Sequence, residues 1–168
     1  MAIVSSADAG LRAASRATIV QLRAPTLTAA QVETEAMKLV GSSPVPVVIS
    51  SRADLAVACD AAGVHLPERD IATADARKLV GRRLVGRSVH SLEGAAADES
   101  EGADYVIFGP VWASASHPGV APVGVEALAT VSRSVRIPVL AIGGVTDERI
   151  AECHAAGAAG YAAIGMFE

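Results

Sequence analysis

The sequence predicts a single α/β domain, a compact (β/α)8 barrel, and three observations carry that prediction. Short β-branched runs recur at regular spacing through the 168 residues. Each is followed by an amphipathic or alanine-rich segment, and the runs themselves are almost continuously apolar. Strands of that kind, alternating with helices, belong to a parallel sheet whose outer face is covered. Eight of them in strict alternation favour closure into a barrel over an open doubly wound sheet. The domain takes in the whole chain, 1–168.

In chain order, strands are expected at residues 2–5, 18–23, 45–50, 63–66, 84–89, 105–109, 139–143 and 160–164. Helices are expected between them at 7–15, 29–40, 53–60, 73–80, 92–100, 125–132 and 147–156. Thr28 and Thr146 stand where N-caps belong, the latter ahead of Asp147 and Glu148. Gly63, Gly102, Gly157 and Gly160 lie just before strands, where the preceding helix must stop. No eighth helix follows the last strand before Glu168, so the barrel is expected to lack its final helix. The strand surface left uncovered should be apolar, and a second copy is its expected cover, giving at least a dimer.

Hydrophobic residues make up 51 % of the chain and charged residues 19 %, which excludes a disordered chain. The net charge of −4 provides no basic field for nucleic acid or anionic lipid, so neither partner is expected. No apolar stretch reaches the roughly 20 residues that cross a bilayer, and the start does not read as a secretion signal. Cys59 and Cys153 have no metal-type spacing and read as buried free thiols of a cytoplasmic protein.

In a barrel of this type, chemistry sits at the C-terminal ends of the strands and on the loops that follow them. That singles out Gln21, Arg23, Ser50, Ser51, Arg52, His65, Arg87, Ser88 and His90. Arg23 is either a rim charge or an anion partner. His65 and His90 read as satisfied rim histidines, the alternative being a catalytic role. The run Ala141-Ile-Gly-Gly-Val145 is the strongest local signal. Two glycines between strand and helix let a backbone approach a phosphate closely, and Gly165 adds a third at the neighbouring strand end. The alternative is simply a tight turn. The long polar loop from Phe108 to Gly119 offers Ser114, Ser116 and His117. His117 is the acid/base candidate because an imidazole titrates near neutrality, a solvated loop histidine being the plainer reading.

Several segments, in order along nearly the whole chain, resemble the signatures of thiamine phosphate synthase and its relative TenI. They are Gln21-Leu-Arg23, Gly63-Val-His-Leu66 with Asp70, Gly86-Arg-Ser-Val-His-Ser91, Ala103-Asp-Tyr-Val-Ile-Phe-Gly-Pro-Val111 and Ala141-Ile-Gly-Gly144. The resemblance implies a TIM barrel that holds thiazole phosphate at the Gly-Gly turn and an aminopyrimidine in its mouth. In the synthase, Mg²⁺ neutralises the leaving pyrophosphate. The chain departs from that pattern at three places. Ala24-Pro25 replaces the usual Glu-Lys, Ser50-Ser51 replaces Asn-Asp, and Ser114-Ala-Ser116-His117 stands where Thr-x-Thr-Lys is usual. Asp70 alone matches a metal carboxylate. TenI-type proteins catalyse a metal-independent proton shift that aromatises thiazole carboxylate phosphate, but they can carry a histidine where this chain has Pro110.

The expected activity is therefore a TenI-like thiazole tautomerase. In it, Gln21, Arg23, Ser50, Ser51, Ser88, His90, Ser114 and Ser116 bind the substrate, Gly143, Gly144 and Gly165 bind its phosphate, and His117 moves the proton. No cofactor is expected for that activity. Two alternatives stay open. One is a divergent synthase joining thiazole phosphate to hydroxymethylpyrimidine pyrophosphate, with Mg²⁺ at Asp70. The other is a non-catalytic relative that binds thiamine intermediates.

Overall fold

The computed structural model describes residues 1–114 and 119–167. Eight parallel strands run in the order β1 to β8: β1 (Ala2–Val4), β2 (Val20–Leu22), β3 (Val47–Ser50), β4 (Gly63–Leu66), β5 (Leu84–Val89), β6 (Tyr105–Phe108), β7 (Val139–Ile142) and β8 (Gly160–Ala162). A parallel bridge from Ala2 to Ala163 brings β8 back against β1 and closes the barrel. Seven helices alternate with the strands: α1 (Ala7–Ala13), α2 (Ala29–Ser42), α3 (Ala53–Ala58), α4 (Thr73–Val80), α5 (Leu92–Ser100), α6 (Val125–Ser134) and α7 (Ile150–Ala155). No helix among the described residues is long and apolar enough to cross a membrane.

Register explains which side chains reach the barrel axis. Ile3, Gln21, Val48, Gly63 and Leu84 pair in one continuous row across five strands. A second row joins Ser50, His65, Gly86 and Tyr105, and a third joins Ser88, Ile107, Leu140 and Gly160. Because strand side chains alternate between faces, these rows all point inward. The apolar members pack as an inner cluster with Met1 and Ala162. Val20, Leu22, Val47, Ile49, Val64 and Leu66 take the other face, against the helices.

Several local expectations change. Thr28 does cap α2, in a reciprocal capping box with Gln31. Thr146 makes no such bond to the backbone; its hydroxyl binds the Glu148 side chain, and a short 3-10 turn at Asp147–Arg149 precedes α7. Gly63 and Gly160 are strand residues and not helix stops. At Gly63 a Cβ would lie 2.1 Å from the Leu84 carbonyl oxygen, so close backbone approach demands the glycine. Beyond β8 the chain covers part of its own strand surface, with Phe167 stacked on Tyr161 at 6.0 Å and buried in the outer cluster. Cys59 and Cys153 are buried free thiols, their pKa raised chiefly by burial.

The lower end of the barrel is tied by one cation. The Arg77 guanidinium donates to the carbonyls of Gly81, Arg83 and Gly102 and pairs with Asp104 at 2.5 Å. Asp104 in turn accepts the Val85 amide at 2.7 Å. This fixes α4, β5 and the approach to β6 from below and leaves the opposite rim to the loops.

Candidate functional site

A cavity of about 600 Å³ opens at the C-terminal ends of the strands. Its lining includes Gln21, Arg23, Ser50, Ser88, His90, Ser114, Gly143, Gly144 and Gly165, so most of the sequence-derived candidates meet in one place. Ile3, Ile107 and Ile142 supply apolar walls. Ser51 falls instead in a smaller neighbouring cavity of about 230 Å³ with Arg52 and Pro25, and Arg23 and Ser50 border both. Ser116 and His117 lie outside the described residues.

Polar side chains shape the β2–β5 side of the cavity. Gln21 is 1 % exposed, and its Oε1 has no hydrogen-bond partner among the described residues. A buried acceptor left empty costs on the order of 1–3 kcal/mol, so a ligand donor has a ready place there. His65, read from sequence as a rim residue, is instead fully buried inside the barrel. Its Nε2 lies 2.9 Å from Ser88 Oγ and its Nδ1 3.3 Å from the Tyr105 hydroxyl. Burial, with a smaller contribution from the Arg87 charge, lowers its pKa from 6.5 to about 3, so the ring is neutral under ordinary conditions. Arg87 itself faces outward, between barrel and helices. It donates to the Ile71 and Glu68 carbonyls at 2.6 and 2.9 Å and lies 3.6 Å from Asp98. Within one signature the arginine thus steadies the loop after β4, while the next residue, Ser88, enters the cavity.

The β7–β8 side is built from backbone. Gly143 and Gly144 have φ of +90° and +65°, a region other residues enter only at a cost. A Cβ at Gly143 would meet Pro110 at 2.5 Å, and one at Gly144 would meet the Ala113 carbonyl oxygen at 2.6 Å. Neither glycine donates its amide N–H to any described residue. The Arg149 guanidinium grips this turn from behind, donating to the Gly144 carbonyl at 2.6 Å while lying 5.0 Å over the Trp112 ring. Gly165 is unlike these two, because a Cβ there would meet open space.

His90 stands between the two sides at the cavity mouth. Its Nδ1 donates to the Gly109 carbonyl, and its Nε2 lies 4.0 Å from Glu68 Oε2. A carbonyl can only accept, so the contact places a proton on Nδ1. Sequence reading missed Glu68 and Tyr105. Glu68 carried no signal beyond following the fourth strand, whereas Tyr105 could have been found from inward parity with Gly86.

The carboxylates do not fit a metal held by the protein. Asp70 is absent from the cavity lining, and its Oδ1 accepts the Ile71 amide at 2.8 Å. Ser50 and Ser51 bring hydroxyls only. Among the described residues no group of three or more His, Cys, Asp or Glu side chains gathers as a metal site would require.

Fold and cavity together define a TIM barrel with a cavity at the strand C-termini. The chain belongs to the thiamine monophosphate synthase (TMP-TENI) family, whose model matches residues 3–167. It is similar to the thiamine-phosphate synthase of Chloroflexus aurantiacus, 38 % identical over 152 residues, covering 88 % of this chain and 70 % of that protein. The thiamine-phosphate synthase of Anaeromyxobacter dehalogenans is 39 % identical over 163 residues, 96 % of this chain and 73 % of that protein. Alignments to relatives from Aquifex aeolicus and Geobacter sulfurreducens span 64 % and 56 % of those proteins. Among solved structures, thiamine phosphate pyrophosphorylase from Pyrococcus furiosus superposes with a TM-score of 0.87 at 27 % identity, covering 97 % of this chain and 84 % of that one. FabK from Thermotoga maritima, at 19 % identity and a TM-score of 0.79, shares the barrel fold alone.

Proposed function

We propose that this chain joins a thiazole phosphate to a hydroxymethylpyrimidine pyrophosphate, the thiamine-phosphate-synthase reaction. The observation that carries the reading is that one cavity has two chemically distinct sides. Glycine amides that meet no acceptor among the described residues suit a phosphate on the β7–β8 side, since free N–H groups stabilise an anion without any side chain. Gln21 and the His65–Ser88 pair on the other side suit a flat heterocycle bearing both donors and acceptors. The names of the relatives support the same reading.

In this reading the chain's own residues bind and orient. Apolar walls exclude water, the two polar sides set the heterocycles against each other, and Arg23 at the rim faces the leaving pyrophosphate. Among the described residues Glu68 is the carboxylate in the lining and no metal-holding group gathers there, so positioning is what these residues supply. The test is pyrophosphate release by the purified protein given both compounds. Release that requires both is expected, and none in any divalent-cation condition would overturn the reading.

His90 favours a second reading, the TenI-like proton shift. With Nδ1 engaged by the Gly109 carbonyl, Nε2 is the His90 ring nitrogen left to meet a ligand in the cavity it lines. In this reading His90 is an acid/base candidate beside His117, which lies outside the described residues. Aromatisation of the thiazole carboxylate phosphate tautomer, lost in His90→Gln, would support it; a wild-type rate equal to background would remove it.

A further inference from the structure

We propose that Tyr105 is a positioning residue that, acting through His65, makes Ser88 a hydrogen-bond donor into the cavity and so selects a ligand acceptor, such as a ring nitrogen, at that point. The inference deepens the reading of the β2–β5 side as a heterocycle site and rests on it for the identity of the ligand, though not for the hydrogen-bond sense itself.

Hydrogen-bond satisfaction sets where the protons sit. Tyr105 is 5 % exposed, and His65 Nδ1 is the partner of its hydroxyl among the described residues. A phenol has one proton to give, and a buried donor left unpaired costs more than an acceptor left partly filled. Tyr105 O–H therefore donates to Nδ1. His65 is neutral and carries one ring proton, which must then sit on Nε2 and point at Ser88 Oγ, 2.9 Å away. With its oxygen accepting from His65, the Ser88 hydroxyl turns its own proton outward, into the cavity it lines. The opposite arrangement, with His65 donating to Tyr105, would strand the phenol proton in the barrel interior.

The sequence is arranged to permit this contact. Tyr105 pairs with Gly86 in the sheet, and a Cβ at Gly86 would lie 2.0 Å from Tyr105 Cζ and 2.3 Å from its hydroxyl oxygen. Only glycine leaves room for the ring to lie across β5 and reach His65 on β4. Imidazole and phenol rings then stack with centroids 5.7 Å apart and planes 25° from parallel, which holds the donor in line. Gly86, Tyr105, His65 and Ser88 thus form one device spread over three strands.

Two measurements test it. In the wild-type protein, long-range ¹H–¹⁵N correlation spectra report the His65 tautomer directly. The Nε2–H form is expected, and a predominant Nδ1–H form would overturn the proposal whatever the protein binds. The second measurement is binding of free hydroxymethylpyrimidine by calorimetry. Tyr105→Phe should weaken it by roughly fivefold to tenfold, the scale of one hydrogen bond, and should shift the tautomer population. In a His65→Leu background nothing relays the Tyr105 proton to Ser88, so adding Tyr105→Phe should change affinity no further. An equal loss in both backgrounds would show that Tyr105 merely fills space and would overturn the proposal. If wild type does not bind the pyrimidine at all, the heterocycle assignment fails while the tautomer result still decides the device.

Discussion

The two sides of the cavity use different materials. At β7–β8 the wall is a glycine turn whose missing side chains leave room for Pro110, Trp112 and Ala113. At β2–β5 the polar groups are side chains on inward-facing register rows. A backbone site tolerates almost no substitution, because any Cβ collides with main chain. A side-chain site is free to be rewritten. This explains why the Gly-Gly turn keeps the family pattern in this chain, whereas Ser50, Ser51 and Pro25 depart from it on the opposite side.

The sharpest way to break this comparison is Gly144→Ala. Left-handed backbone together with overlap on the Ala113 carbonyl should cost on the order of 2–4 kcal/mol, read from urea unfolding. Binding of inorganic phosphate or thiazole phosphate should be lost with it. If Gly144→Ala folds and binds normally, the backbone account of that side is wrong.

A second effect, of similar size, separates the two sides by pH. The unfolded chain protonates His65 near 6.5, but the folded protein does so only near about 3. Between those values the unfolded state binds more protons, so stability falls as pH drops through the interval, by about 1.4 kcal/mol per unit from this group. Urea midpoints of wild type and His65→Gln should therefore converge as pH falls from 7 towards 4. Parallel curves would show that His65 is not held neutral.

Arg149→Met should weaken phosphate binding by about threefold to tenfold, with a stability loss below about 1 kcal/mol, since it removes one charge-assisted bond and a cation–π contact. Gly165→Ala should be the mildest change. Its Cβ meets open space, so stability and phosphate affinity should stay within about twofold by titration and thermal melting. A large effect there would transfer weight from the Gly143–Gly144 turn to the end of β8.

Much of the molecule is legible in the sequence. All eight strands and seven helices lie where alternation of β-branched runs with helical segments puts them. Gln21, Ser88, His90, Gly143 and Gly144 converge as strand-end reasoning expects. Parity within short signatures is not legible. In Gly86-Arg87-Ser88 nothing local says that Arg87 turns outward and Ser88 inward; register against β4 and β6 decides it. His65 reads as a rim residue for the same reason, since its depth depends on where the neighbouring strands end. Nor does sequence reveal that Asp70 spends an oxygen on its own loop.

Arg149 touches the Gly144 carbonyl from the side away from the cavity. The N–H of that same peptide unit belongs to Val145, which lines the cavity. A full positive charge on the carbonyl oxygen draws electron density along the peptide plane and leaves the N–H edge more electropositive. The turn is thus polarised in advance, receptive to negative charge before any ligand arrives.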